Sequence, residues 1–571
     1  MTSFTQKAAP PAPKFAELYT PKLVTVLREG YSLTNLRADA ISGLTVAIVA
    51  LPLSIAIAVA SGASPAQGLI TAIVGGFLVS LLGGSRFQIG GPAGAFIVLV
   101  NTTAATHGMD GLILAVFLSG IMLAAAGWLR LGTFVKFVPY PVTVGFTAGI
   151  AIIIGSSQLK DLFGLTLAGP EPGPFLEKLP VLAAAAPTAD WQAFVIAAGT
   201  MAVIFTLKRY RPGWPGILMA VAIAALVTAL AKLDIATIGT RFGAMPAGLP
   251  APHLPVFSME KLSAVLPAAI SFTLLGAIES LLSAVVADGM TGRRHRSNCE
   301  LVAQGAANIG SALFGGICVT GTIARTATNV RAGAHGPVSG MLHSVFLLVL
   351  MILAAPLIAF IPMAALAGVL AVVAWNMFEK HAFWRLLHTS KGDAAVLLAT
   401  FGLTVFRDLT EAIIVGFALG SALFIQRMSQ AASVELGAPL VRPDEADTVR
   451  ARVPYDEATG TRRDVVVYRI SGAFFFGAAA SIGSVLDRIG DQHRALIVDF
   501  SAVPFVDSTA AHTIEALVDS ASRRKITVWL TGLNKTTESA LAAHGVTPPH
   551  VHIEPDIQTA QAKALAMLDA G

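Results

Sequence analysis

Two apolar stretches of this chain stop and restart in mid-course. Residues 85–106 (SRFQIGGPAGAFIVLVNTTAAT) and 315–333 (GGICVTGTIARTATNVRAG) each run from glycines through three strand-like residues to a further glycine. The strand-like residues are Phe87-Gln88-Ile89 and Ile317-Cys318-Val319, and each run then begins a helix too short to span a bilayer. Backbone exposed to lipid in that form has no hydrogen-bond partners, so such segments survive only where protein or a watery cavity surrounds them. The pattern therefore places a binding site between the two breaks.

The surrounding composition fixes the class. With 54% hydrophobic and 13% charged residues over 571 positions, the chain is too apolar for a soluble multidomain protein and reads as a polytopic α-helical membrane protein. The first 38 residues are polar, hold Pro10, Pro11 and Pro13, and carry no short apolar run with a cleavage site, which reads as an uncleaved cytoplasmic tail. Cys299 and Cys318 offer neither a disulfide framework nor zinc spacing, so no metal and no cofactor is expected. The net charge of +5 is spread over short loops rather than gathered in one patch, which argues for membrane topology and against nucleic acid as a partner.

Apolar runs fall at 40–60, 68–82, 92–105, 112–129, 142–154, 191–207, 214–230, 265–287, 299–314, 322–332, 338–360, 363–377, 394–406 and 409–425, fourteen in all. With the N-terminus inside, one set of loops holds Arg86, Arg130, Lys136, Lys208, Arg209, Arg211, Arg293, Arg294, Arg296, Lys380, Arg385 and Lys391. The opposite loops are poorer in Lys and Arg and mix Lys160, Lys178, Lys232, Arg241, Lys261 and Arg407 with acids. That bias predicts both termini in the cytosol. Splitting the fourteen runs in half makes each broken helix the third of its half. Seven is odd, so the halves insert in opposite orientations, an inverted repeat of seven plus seven. Such repeats hold substrate near the midplane at discontinuous helices whose N-termini point at anionic groups.

The residues at the two restarts follow from that geometry. Pro92 after Gly90-Gly91 predicts a helix start with Pro at its first position, so that Gly91, Pro92, Ala93, Gly94 and Ala95 form one half of an anion site, with amides of Gly94 and Ala95 free. Gly321, Thr322, Ile323, Ala324 and Arg325 form the other. Two positive helix ends hold an anion without a dedicated basic side chain; glycines that merely allow close helix packing are the alternative. Glu279 lies in mid-run in SFTLLGAIESLLSAVVADG, where an ionised carboxylate is costly unless paired or protonated. Arg325 is the expected partner, either in a structural ion pair or with Glu279 as the proton carrier and Arg325 adding to the field on the anion. Ser283, one turn on, either lines the site or bonds its own helix. Asp288 reads as a cap, and Gln304 and Asn308 as partners for neighbouring backbone. Importing a dianion against about 100 mV, negative inside, costs about 4.6 kcal/mol, which a co-transported cation offsets.

After Gln426 the composition changes. Residues 427–463 are charged and loop-like, and then 464–469, 495–500 and 526–530 read as buried strands, with helices at 509–524 and 535–544. This divides the chain into a tail at 1–38, a transmembrane domain at 39–428, a linker at 429–463 and a small α/β domain at 464–571.

The stretches GLTVAIVALPLSIAIAVASG, GGSRFQIGGPAGAF, GAIESLLSAVVADGMTGRRHRSNCELVAQGAANI and GTIARTATNVRAG resemble the SulP anion transporters, and VDFSAVPFVDSTA is similar to the STAS domain; together the likeness spans 36–553. It implies a core domain and a scaffold domain in the seven-plus-seven repeat, elevator-like alternating access, an inner-membrane location, a homodimer, and substrates among sulfate, bicarbonate, chloride, oxalate and C4-dicarboxylates. Sodium-coupled relatives pair an Asp in the eighth segment with a hydroxyl at the start of the tenth. Glu279 and Ile323 stand at those positions, and without that oxygen the resemblance points to proton symport rather than sodium. The turn Asp507-Ser508-Thr509 matches one that is phosphorylated in STAS relatives, making Ser508 and Thr509 regulatory candidates; an ordinary N-cap is the other reading. A cytosolic protein partner of the STAS domain is a further expectation. Competing functions are a nucleobase carrier of the same architecture and a membrane scaffold or sensor acting through the STAS domain. An enzyme is not expected, because there is no metal-binding His pair, nucleophile elbow or phosphate loop.

Overall fold

The computed structural model describes residues 18–133, 139–169, 171–172, 175–211, 213–243, 245–246, 248–407, 409–431, 433–436, 464–475 and 493–570. The chain divides into two compact units, Met1–Gly420 and Ser421–Gly571.

The first unit is a bundle of apolar helices: α1 (Leu33–Ala60), α2 (Pro65–Leu82), α3 (Ile97–Trp128), α4 (Tyr140–Ser157), α5 (Trp191–Tyr210), α6 (Gly216–Leu230), α7 (Met259–Thr291), α8 (Ser297–Leu313), α9 (Ile323–Arg331), α10 (Val338–Ile358), α11 (Met363–Met377) and α12 (Lys391–Phe406), with α13 (Leu409–Ala431) running past its edge. Among the described residues nine helices are long and apolar enough to cross a bilayer. Caps mark their starts as the sequence dictates: Ser32 accepts from Asn35 ahead of α1, Ser64 forms a capping box with Gln67 ahead of α2, and Ser258 accepts from Lys261 ahead of α7. Asp288 closes the far end of α7, its carboxylate accepting from the His295 amide at 3.0 Å.

Helix α3 is two segments. Gly108 has φ +71° and ψ 176°, which interrupts the helix with a kink at a position where an L side chain is strained. Counting the two parts separately, the helices just named make fourteen segments among the described residues, with the broken ones third and tenth, so the seven-plus-seven order holds. One group packs α8 and α7 on α3 and α10 on α1 and α2; another packs α12 and α11 on α4 and α11 on α5. Helices α6 and α11 also touch α1, joining the groups.

The second unit holds a five-stranded sheet ordered β3 (Ser433–Leu436), β4 (Val465–Ser471), β5 (Ala495–Ala502), β6 (Thr527–Thr531) and β7 (His552–Glu554), after the two-residue strands β1 (Gly90–Gly91) and β2 (Thr320–Gly321) of the bundle. Strands β4 to β7 are parallel and β3 is an antiparallel edge. Alternation sends Leu496, Val498, Val528 and Leu530 to one face, against α14 (Ser508–Arg523) and α15 (Lys535–Ala543). Ala495, Ile497 and Trp529 go to the other, against Ala560 and Ala564 of α16 (Ile557–Ala570). The expectation of loop from 427 onward is corrected: α13 continues to Ala431 and Ser433–Leu436 pairs with β4, while 437–463 lies outside the described residues. Charge in that stretch masked a strand whose neighbour is distant in sequence.

Candidate anion site

The two interrupted segments meet. β1 pairs antiparallel with β2, Gly90 opposite Gly321 and Gly91 opposite Thr320, as an inverted repeat requires at its axis. Each approach strand has its backbone matched by side chains of neighbouring helices. In the first, the Phe87 carbonyl accepts from Asn329 Nδ2 (2.9 Å), the Ile89 amide donates to Thr326 Oγ1 (3.1 Å), and the Ile89 carbonyl accepts from the Thr322 amide and hydroxyl (2.9 and 3.1 Å). In the second, the Ile317 amide donates to Thr71 Oγ1 (2.7 Å) and its carbonyl accepts from Ser311 Oγ (2.7 Å). Asn308 holds Val319 from both sides, Oδ1 accepting from its amide (2.9 Å) and Nδ2 donating to its carbonyl (2.8 Å). Thr71 sits in a π-helical turn, Thr71–Gly75, within α2. Asn308 thus serves backbone as expected, and Gln304 donates to Glu300 (3.0 Å).

With the strands satisfied, the helix starts are what remains open. The first four amides of a helix have no intrahelical acceptor, although at the first start the Phe96 amide already donates to the Ala93 carbonyl (3.1 Å). Neither start has a capping side chain: the residue before the turn Gly94–Phe96 is Ala93, and the hydroxyl of Thr322, which precedes α9, goes to Ile89 instead. The first start differs from the sequence reading in one respect. Pro92 is not its first helical residue; Ala93 is still extended (φ −119°, ψ 148°) and the turn begins at Gly94, because the β1–β2 pairing holds the chain extended past Gly91. Ala93 and Ala95 are buried, and Gly94 faces Ile154 of α4 and Met377 of α11, whereas Ile323 and Ala324 are exposed.

Arg325 spans the gap. Its side chain is 1% exposed, and Nη2 donates to Ser54 Oγ of α1 (3.1 Å) and to the Pro92 carbonyl (3.3 Å). The guanidinium lies over Gly91, where any Cβ would strike Nη1. Nε and Nη1 have no protein acceptor. A buried cation with two unused donors beside two uncapped helix starts is an arrangement that can take up negative charge.

The expected Glu279–Arg325 pair is not formed, which corrects the sequence reading. Helix phase explains it. Ser280 accepts from Gln88 Nε2 (3.1 Å) and Ser283 donates to Thr326 Oγ1 (3.1 Å), so those serines turn toward the approach strand and α9. Glu279 lies at the edge of that face, among Ile278 and Leu282 of its own helix, Thr143 and Thr147 of α4 and Ile413 of α13. It is 8% exposed, and no hydrogen bond or ion pair reaches its carboxylate among the described residues. Ser283 therefore does not bond its own helix; it ties α7 to α9.

Sequence reasoning passed over Glu300. This fully buried acid of α8 accepts from the amides of Gly84 (2.9 Å) and Ser85 (3.0 Å), fixing the entry to the first broken segment. The signal was present, an acid inside an apolar run four residues before a glutamine. Ser54, by contrast, had no sequence signal.

A cavity of about 400 Å³ adjoins the first restart, lined by Ile97, Val98 and Asn101 and by charged residues beyond α4. Arg241 pairs with Asp161 (3.2 Å) and Lys178 with Glu171 (2.9 Å), and Lys160 adds its charge beside Asp161. Burial pushes the Asp161 carboxyl above its ordinary range, with Arg241 pulling it back.

In the second unit, the cap of α14 is Asp507, whose Oδ1 accepts from Ala510 at 2.8 Å. That corrects the reading of Ser508 or Thr509 as the cap and leaves both exposed at the helix start.

Residues 36–400 match the sulfate permease family and 458–560 the STAS domain. The chain is 36% identical to a putative sulfate transporter, YvdB, of Bacillus subtilis (strain 168), over 91% of this chain and 95% of that one. It is 32% identical to the bicarbonate transporter BicA of Picosynechococcus sp. (strain ATCC 27264 / PCC 7002 / PR-6), over 89% and 90%. The fold is that of SLC26A9, with a TM-score of 0.83 at 17% identity, over 96% of this chain and 93% of that one.

Proposed function

Because this chain belongs to the sulfate permease family, whose members here include sulfate and bicarbonate transporters, and ends in a STAS domain, we propose that it is a secondary active transporter of a small oxyanion or C4-dicarboxylate. It is a multi-pass membrane protein, assigned to the inner membrane with both termini cytosolic, and it acts as a homodimer. The observation that carries the reading is Arg325, buried with two unused donors between two uncapped helix starts. Gly91, Pro92, Ala93, Gly94 and Ala95 form one wall of the site and Gly321, Thr322, Ile323, Ala324 and Arg325 the other. Backbone amides bind any small oxyanion by charge and shape, which fits relatives named for sulfate and for bicarbonate.

Glu279 is the proton carrier in this reading. An unpaired carboxylate at that depth is costly when ionised. It lies against α4 and α13, across from its own group of helices, so proton binding removes a charge from the surface along which the two groups slide in an elevator-like exchange. Ser283 acts by fixing α7 to α9. The transmembrane domain occupies 39–428, and the STAS domain, from 464, docks cytosolic partners or is switched at Ser508 or Thr509.

The test is uptake of labelled sulfate, bicarbonate, succinate and fumarate by the reconstituted protein, with imposed proton or sodium gradients. Uptake driven by an inward proton gradient, lost in Glu279→Gln, is the expected result. Absence of flux for every anion refutes the transport reading, and unchanged pH-driven uptake in Glu279→Gln refutes the proton role alone.

A further inference from the structure

We propose a transition-metal site on the STAS domain, formed by His512, Glu515 and His544. His512 and Glu515 stand one turn apart on α14, and His544 follows the last residue of α15, which packs beside it. Glu515 Oε2 lies 2.9 Å from His512 Nδ1 and 3.9 Å from His544 Nδ1, and the three ligand atoms fall within 4.8 Å of one another. Zinc bonds of about 2.0–2.1 Å to nitrogen and oxygen set tetrahedral ligand atoms about 3.3 Å apart. The observed separations bracket that value, and all three side chains are free enough to close the difference by rotation, His512 being 74% exposed.

Two imidazoles and a carboxylate suit Zn²⁺ and its neighbours rather than Mg²⁺ or Ca²⁺, which take oxygen ligands. Three protein ligands leave a fourth position open to water or an incoming anionic group. The site joins two helices that pack beside each other, so an ion bound there stabilises their pairing by mass action. His544 lies more than twenty residues beyond the His512–Glu515 pair, which is why no ligand spacing shows in the sequence.

The experiment uses the full chain in detergent, carrying an affinity tag without histidine and stripped with a chelator. Zn²⁺ is titrated calorimetrically and Co²⁺ by visible absorption. One ion per chain is expected, with the absorption band of low-symmetry Co²⁺. Affinity should fall at least about tenfold in His512→Ala and again in His544→Ala, while circular dichroism and anion uptake in metal-free buffer stay as in the unaltered protein. No stoichiometric binding, or equal affinity in the doubly substituted chain, overturns the proposal.

Discussion

Replacing Arg325 by glutamine tests the site most directly. The guanidinium has two bonds, to Ser54 and Pro92, and two donors without a protein acceptor, so the substitution removes a charge aimed at the anion while removing little protein–protein bonding. At about 4 Å and an effective dielectric of about 20, a unit charge attracts a monoanion by about 4 kcal/mol. Desolvating both partners takes back part of this, and hydrogen bonds to charged groups net about 1.5–3 kcal/mol. At 1.4 kcal/mol per factor of ten, half-saturation should rise roughly 10- to 150-fold. Binding is weakened rather than abolished, because two helix starts remain, each worth up to about 2 kcal/mol when partly buried. The Coulomb part scales with ligand charge, so sulfate should lose more than bicarbonate. Arg325→Lys should fall between, keeping the charge but not the planar fork. The assay is initial uptake against anion concentration in proteoliposomes, with monodispersity on gel filtration as the folding control. Half-saturation within twofold of the unaltered protein for both anions refutes the assignment.

Other substitutions separate structure from coupling. Asn308→Ala strands the Val319 amide and carbonyl, each costing about 1–3 kcal/mol, so the melting temperature should drop by several degrees, and Asn308→Asp, which keeps the acceptor, by less; an unshifted melt refutes the bracing role. Glu300→Ala leaves the Gly84 and Ser85 amides without an acceptor, and uptake should fall only in step with the folded fraction measured by gel filtration, unlike Glu279→Gln, which stays folded and loses pH response. Asp507→Ala should cost the STAS domain about 1 kcal/mol in denaturant titration while Ser508→Ala costs nothing measurable; the reverse order would return the cap to Ser508.

Much of the bundle was legible because it rests on local rules. Hydrophobic run length and the glycine breaks each act within a few residues, and the odd number of runs per half forces the inverted pairing now seen at Gly90–Gly91 and Thr320–Gly321. The strands of the second unit were legible as short buried apolar runs, and the structure covers both of their faces. The failures share a different cause. Ser433–Leu436 is a strand only because β4 lies beside it. Pro92 looked like a helix start until strand pairing carried the extended backbone beyond it.

The amino-acid order alone therefore determined where the chain crosses, where it breaks and that two breaks face each other, since these depend on solvation of consecutive groups. Only the folded molecule decided which side chain serves which break. A rotation of about 100° per residue separates Glu279 from Ser280, and whether a side chain meets a strand or a neighbouring helix depends on how α7 is turned against α4 and α9. Packing sets that turn, and packing sums contacts from segments hundreds of residues apart. For that reason Arg325 found Ser54 and Pro92 instead of Glu279.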